Sequence, residues 1–200
     1  VKTRLGQTIR QDQIAEAALD IVRSGGIRAL NLAAVADKVG IVPSAVYRHF
    51  KNKSQIIGAV LQLIQKRLSA HYQEVVESDG EPVEKLSLLL KKHVELIGSS
   101  NAIPRVIFSA EVIGGMPEKR QQLYDIIQDV VRNIAQIVSE GQKMGRIRTD
   151  TPIAVSFLGL IQPAAIIWSL SEGEFDLAQH SQRAWQLFSD AIRAGGGQKS

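Results

Sequence analysis

The chain of 200 residues contains no cysteine. Disulfide frameworks, thiolate metal sites and thiol nucleophiles all need cysteine, so these three features are excluded. A chain of this kind is typical of the reducing cytoplasm, which is where we expect it to act. Aromatic residues make up only 5% of the sequence, and segments with the alternating pattern of a strand are nearly absent. Hydrophobic residues account for 44%, which is enough to form a buried core.

Signatures of catalysis are also missing. The sequence has no glycine-rich phosphate loop, no His-Glu-x-x-His pair and no Gly-x-Ser-x-Gly elbow. The four histidines, at positions 49, 71, 93 and 180, are too scattered to predict a metal site. We therefore expect neither an enzyme nor a bound metal or cofactor, and an all-α enzyme with a dispersed site stays open as an alternative.

Charge is distributed unevenly along the chain. Residues 1–53 hold 9 of the 24 lysines and arginines but only 4 of the 20 acidic residues, so this segment carries +5 and the remainder −1. Such asymmetry suggests a module that binds a polyanion, attached to a part with another task.

Apolar residues recur at helical spacing throughout, which predicts an all-α protein of about nine helices. Gly26 ends the first helix, Asn31 caps the second, Gly40 ends it, and Pro43 opens a short third helix. Asn52 or Lys53 starts a fourth helix that links the two domains. Further helices are predicted at about 83–98, 102–113, 117–144, 152–171 and 174–193. We assign residues 1–53 to a DNA-binding domain with a helix-turn-helix, and residues 54–200 to a helical domain for ligand binding and dimerisation.

One segment is apolar enough to raise the question of a membrane. Residues 153–170 contain no charged side chain, and eighteen residues is the lower limit for a spanning helix. Because Gln162 and Pro163 interrupt this run, we expect a helix buried on two faces of a folded domain and no membrane span.

The segment from Gly40 to Lys53 carries the chemistry of a DNA contact. Tyr47, His49, Lys51 and Lys53 place phenol, imidazole and ammonium donors close together, as a phosphate surface requires. The start of the third helix is the part that enters a major groove, so the candidates for base contacts are exposed residues there. They are Val42, Pro43, Ser44, Ala45 and Arg48. Arg48 suits either a guanine or a phosphate, and both assignments stay open.

These residues carry a resemblance to a known family. Ile14, Ala17, Gly26, Leu32, Gly40 and the run Tyr47-Arg48-His49-Phe50 with Lys53 resemble the TetR family of bacterial transcription regulators. The resemblance implies that Asn31, Tyr47, His49 and Lys53 contact phosphates and that Pro43, Ser44 and Ala45 face bases. Val42 departs from the serine that often caps the recognition helix in the family, and Ser44-Ala45 departs from a frequent Gly-Thr pair. Operator specificity is therefore not inherited from the resemblance.

The same resemblance implies a homodimer whose last two helices pair across a two-fold axis. The apolar residues that would form this interface are Phe157, Leu160, Ile161, Ala164, Trp168, Leu177, Ala184, Trp185, Phe188 and Ala191. Two recognition helices on a palindrome also discriminate far better than one.

A small-molecule effector is expected in the second domain. Pro163 should kink its helix and help to line a pocket, with His93, Phe108, Tyr124, Gln162 and Trp168 as polar and aromatic contacts. The sequence thus predicts a ligand-responsive regulator, a repressor that leaves its double-stranded DNA operator when the effector binds. A transcription activator of the same family and an interaction protein without DNA binding are the alternatives.

Overall fold

The computed structural model describes residues 2–149 and 152–193, and the side chains from residue 11 onward. Over these residues the chain is helical, with one isolated antiparallel bridge between Ile147 and Arg193. The helices are α1 (Lys2–Ala29), α2 (Leu32–Val39), α3 (Pro43–Tyr47), α4 (Lys53–Glu77), α5 (Pro82–Gly98), α6 (Ala102–Ile107), a π-helical turn (Glu111–Gly115), α7 (Pro117–Lys143), α8 (Ile153–Leu158), α9 (Gln162–Leu170) and α10 (Leu177–Ile192). The all-α prediction is confirmed.

Local signals define the first three helices as predicted. Gly26 takes a φ of 70°, which breaks the helical geometry of α1 before one further turn to Ala29. The side-chain oxygen of Asn31 accepts a hydrogen bond from the Ala34 amide at 2.9 Å and caps α2. Gly40 ends α2 in the left-handed conformation, and Pro43 lies in the first turn of α3.

The chain divides into two compact units, each of which combines two separate stretches of sequence. The predicted domains, 1–53 and 54–200, were each one continuous stretch. The first unit contains the residues up to Arg67 together with Ser100–Ile126, and the second contains Leu68–Ser99 with the residues from Ile127 onward. Within the first unit α6 packs against α1, and the Arg105 guanidinium donates to the Arg23 carbonyl at 3.3 Å. α4 and α7 each run from one unit into the other.

The core of the first unit is formed by side chains of α1, α2, α3 and α4. Each of these four helices contributes side chains that are almost wholly buried, as expected for helices that share one core. Buried members of this core include Ile14, Val22, Val35, Val46, Phe50, Ile57 and Leu61.

The core of the second unit is formed by one stripe of α7 and by the inner faces of its neighbours. Val130, Ile134 and Ile137 of α7 are buried at the spacing predicted from the sequence. Phe157 is fully buried among the same residues and packs edge to face against Trp185 and Phe188, with ring centroids 6.3 and 6.2 Å apart.

The prediction of one continuous helix over 152–171 is wrong. α8 ends at Leu158, a turn covers 159–161, and Pro163 lies in the first turn of α9, where it needs no amide partner. Eighteen residues from Ile153 to Leu170 are long and apolar enough to cross a membrane, with a mean hydropathy of 1.9. Only 28% of them are buried within the chain, so the expectation that this segment is buried on two faces is wrong.

Candidate DNA interface

The short helix α3 presents one face to its own core and another to solvent. Val46 and Phe50 are buried, whereas the side chains of Val42 and Tyr47 are 64% and 56% exposed. Pro43, Ser44 and Arg48 are exposed beside them. These five residues form the solvent-exposed face of α3 and its N-cap.

Ala45 does not belong to that surface. The sequence predicted that it faces bases, but its side chain is only 6% exposed and packs inward, so this assignment is corrected. Ala45 and Val46 are both buried in the core of the first unit, whereas the neighbouring Tyr47 and Arg48 are exposed. The candidates for base contacts are therefore Val42, Pro43, Ser44 and Arg48.

Asn31 stands at the N-terminus of α2 and remains exposed. Its side-chain amide nitrogen lies 3.3 Å from the Ala29 carbonyl while its oxygen caps the helix. The free amides of a helix N-terminus and the macrodipole favour an anion at this position. These contacts are compatible with the predicted role of Asn31 at a phosphate.

Lys53, the first residue of α4, is engaged within the protein. Its ammonium donates to the Ile27 carbonyl at 2.6 Å and to a carboxylate oxygen of Glu111 at 3.0 Å. Burial raises the pKa of Glu111, but the hydrogen bonds from Lys53 and from its own backbone, with the charges of Lys53 and Arg28, outweigh burial and lower that pKa below its usual value. Glu111 was not singled out from the sequence, because 58 residues separate it from Lys53.

His49 is half-buried and lines a polar cleft of about 540 Å³ within the first unit. The cleft also contains Phe50, Gly58 and several amide side chains, and Gln122 donates to the Gly58 carbonyl at 2.9 Å. His49 follows the exposed Tyr47 and Arg48 in the chain and is itself only partly accessible to solvent.

Candidate surfaces of the second unit

The predicted dimer residues fall into two groups. Phe157, Ile161, Ala164 and Leu177 are buried inside a single chain and cannot reach a second copy, so their assignment to the interface is corrected. Leu160, Trp168, Ala184, Trp185 and Phe188 are half-buried, and Ala191 is exposed. Buried and interfacial apolar residues have the same spacing in a sequence, which is why the pattern did not separate them.

A different apolar stripe is open to solvent. Pro163, Ile166, Ile167 and Leu170 follow one another at i, i+3, i+4 and i+7 along α9, and the leucine side chain is 79% exposed. Leu187 of α10 is 77% exposed. α9 and α10 pack against each other within the chain. The charge-free run at 163–170 was the sequence signal for this face.

The five predicted effector residues are not brought into one pocket. Phe108 and Tyr124 belong to the first unit, and Tyr124 is more than half exposed on the polar side of α7. Gln162 is exposed at the start of α9, and Trp168 is half-buried against the Gly173 turn. The assignment of exposed Tyr124 and Gln162 to an interior pocket is corrected, because neither faces a core.

His93 is the only one of the five that is buried. Its Nδ1 lies 2.9 Å from the Leu89 carbonyl oxygen and donates to it, so Nε2 carries a lone pair. Among the described residues Nε2 has no hydrogen-bond partner. Burial lowers the pKa of His93, the hydrogen bond to Leu89 opposes this, and the nearby His71 adds to the lowering.

A groove between α5 and α10 was not predicted. It has a volume of about 420 Å³ and an apolar floor that includes Leu90, Val94 and Trp185. Lys91 and Glu95 stand along its α5 side and Gln182 along its α10 side. Ser181 is 3% exposed in the groove, and its hydroxyl oxygen has no partner within the described part of the chain. A groove of this size, lined by both apolar and polar side chains, is typical of a small-molecule site.

A serine at position 42 is expected to stabilise α3. Val42 occupies the N-cap position in an extended conformation and offers no side-chain hydrogen bond. Val42→Ser should raise the free energy of unfolding by about 0.5–1 kcal/mol, since a hydroxyl can accept from the first free amides of the helix. Urea denaturation at fixed protein concentration measures this, and Val42→Ala is the control that adds no cap. Equal stability of the Ser and Ala variants would contradict the assignment of residue 42 as the N-cap of α3.

The buried His93 is expected to make the protein less stable in mild acid. Because the folded pKa is lowered, the unfolded chain binds a proton below about pH 6.5 that the folded chain does not. Stability should therefore fall as the pH decreases from 6.5 through the folded pKa, and His93→Leu should remove this contribution. Urea denaturation at pH 7 and pH 5 compares the unsubstituted protein with His93→Leu. If both lose the same free energy of unfolding between these pH values, His93 is not the source of the acid sensitivity.

Two profiles of known proteins match the chain. One describes bacterial regulatory proteins of the TetR family and covers residues 14–60, and the other describes the C-terminal region of YsiA-like proteins and covers residues 47–191. The chain is 21% identical to the fatty acid metabolism regulator protein of Bacillus subtilis over 183 residues, which are 90% of this chain and 94% of that one. It is 28% identical over 134 residues to the transcriptional repressor KstR2 of Mycolicibacterium smegmatis, covering 61% and 65% of the two chains.

The fold agrees with solved structures of such regulators. The structure of FadR from Bacillus subtilis in complex with stearoyl-CoA superposes with a TM-score of 0.75 at 22% identity, covering 90% of this chain and 98% of that one. One profile covers the helix-turn-helix and the other covers most of the remaining chain. The family assignment therefore extends beyond the first domain. The chain belongs to the TetR family of bacterial regulatory proteins and is a DNA-binding transcription regulator.

Proposed function

We propose that the protein acts as a homodimeric repressor that holds a palindromic operator through α3 and releases it when an apolar effector binds. The main support for DNA binding is the exposed face of α3. Val42 and Tyr47 are exposed there, while Val46 and Phe50 are buried and hold the helix against the core. A bacterial regulator of this kind works on the chromosome, so we expect it in the cytoplasm.

The proposed DNA-contacting residues divide by their chemistry. Tyr47, Asn31 and part of His49 offer neutral donors for phosphate oxygens, and Lys53 offers a charge. Val42 provides methyl groups for a thymine methyl, while Ser44 hydrogen-bonds without strong preference. Arg48 is exposed at the end of α3 and suits either a guanine edge or a phosphate.

The solvent-facing stripe of α9 supports a two-fold dimer. Ile166, Ile167 and Leu170 form an exposed apolar stripe that a second copy can cover, and we include the exposed Leu187 of α10 in the proposed interface. Leu187 is nine residues from Ala178, or about two and a half turns, so it lies on the side of α10 opposite to the groove. A partner on this face would leave the groove open to an effector.

The relatives suggest the class of effector. The B. subtilis regulator is solved with stearoyl-CoA, and KstR2 of Mycobacterium tuberculosis is described as a ketosteroid regulator, so both are linked to largely apolar compounds. The groove between α5 and α10 suits such a compound, since Leu90, Val94 and Trp185 form its floor and Lys91 can meet an anionic head group at its edge. We assign the effector to the long-chain acyl thioesters and its site to this groove.

Displacement of the protein from operator DNA by stearoyl-CoA tests the assignment. Stearoyl-CoA should release the DNA, while free CoA and stearate should act weakly. Release by a steroid CoA thioester instead of stearoyl-CoA would identify a steroid as the apolar part of the effector. Ala178→Trp fills the groove and should abolish release without loss of DNA binding, whereas Gln179→Trp is the neighbouring control. Release that is unchanged by Ala178→Trp would place the effector elsewhere, and no release by any thioester would refute the class.

A further inference from the structure

Lys53 is held by two acceptors at the start of α4. Its ammonium donates to the Ile27 carbonyl and to the Glu111 carboxylate, and both side chains of the ion pair are about one quarter exposed, at 29% and 25%. All three residues belong to the first compact unit. The charge that a phosphate would use is therefore partly neutralised inside the protein.

Glu111 is the first residue of the π-helical turn Glu111–Gly115. π-helical turns are rare and are frequent at functional sites. The Ser109 hydroxyl and carbonyl both accept from the Val112 amide, at 3.3 and 3.1 Å, and Gly114 and Gly115 end the turn. The position of the carboxylate thus depends on one short turn between α6 and α7.

A carboxylate and a DNA phosphate are both anions that compete for the same ammonium. We propose that Glu111 competes with DNA for Lys53, so that tight operator binding requires the Lys53 ammonium to leave Glu111 for a phosphate. This inference rests on the proposed contact between Lys53 and a phosphate. It assigns to Glu111 a role in setting DNA affinity without touching DNA.

Removal of the competing charge should tighten DNA binding. Glu111→Gln is expected to strengthen binding about threefold per subunit, or about tenfold for a dimer, as an ion pair that is partly exposed would allow. The dependence of binding on salt should also become steeper, because Lys53 then displaces counterions more fully. Glu111→Asp keeps the charge but withdraws it by one methylene, and it should tighten binding as well.

The measurement is a titration of a fluorescent duplex of about 30 base pairs, long enough for two half-sites, at several salt concentrations. A random sequence serves, since phosphate contacts do not depend on sequence. Glu118→Gln makes the same change of net charge on α7 without touching the described contacts of Lys53. Thermal unfolding confirms that each variant is folded.

Lys53→Met and the double variant Lys53→Met/Glu111→Gln separate the two claims. If Lys53 contacts phosphate, Lys53→Met weakens binding, and the gain from Glu111→Gln disappears on that background. A gain that persists in the double variant, or that Glu118→Gln reproduces, overturns the competition between Glu111 and DNA. Binding that Lys53→Met leaves unchanged overturns the phosphate contact itself, which is the underlying assignment.

Discussion

Leu187→Asp is expected to convert the dimer into monomers and to weaken operator binding at least about a hundredfold, because two half-sites no longer bind together. Leu187 is 77% exposed in the single chain, and the proposed two-fold interface covers it together with the stripe of α9. Symmetry places two new carboxylates in one interface, where an unpaired buried charge costs about 3–5 kcal/mol.

Sedimentation of the variant and titration of operator DNA measure the two effects. Val76→Asp is the matched control, since it adds the same charge at an exposed valine of α4 outside that face. The control should remain dimeric and bind normally. A Leu187→Asp protein that stays dimeric would refute the interface.

Phe157→Ala is expected to lower the free energy of unfolding by about 3–5 kcal/mol. The side chain is fully buried in the second unit and packs edge to face against Trp185 and Phe188, so its removal leaves a cavity that fixed helices cannot fill. A loss of this size is a large part of the stability of an ordinary domain.

Urea denaturation at several protein concentrations separates core from interface. Phe157→Leu, which keeps most of the apolar volume, should lose much less stability than Phe157→Ala. If Phe157→Ala instead retained the stability of the chain and lost only dimerisation, the sequence-based assignment of Phe157 to the interface would be right and the core assignment wrong.

The first three helices were predictable because local chemistry fixes their ends. Gly26 and Gly40 adopt positive φ, the side chain of Asn31 caps α2, and Pro43 opens α3, each for reasons contained within a few neighbouring residues. The long helix α7 was predicted from the spacing of its apolar stripe alone.

Features that depend on distant contacts were not predictable in this way. The ion pair of Lys53 with Glu111 joins two residues that no local pattern connects. The first compact unit combines residues that lie far apart in the chain, since Ser100–Ile126 packs with the N-terminal helices. Spacing also identified apolar faces on α8, α9 and α10 without telling which face meets the protein's own core.

We propose that the two α3 helices of a dimer, with their neighbouring residues, together read one palindromic DNA sequence. Sequencing the genomic DNA fragments that the protein retains at physiological salt tests it most directly. The predicted result is enrichment of one palindromic site whose half-sites are centred about one helical turn of DNA, or a multiple of it, apart. Retention of fragments that share no sequence, or retention of none, would contradict it.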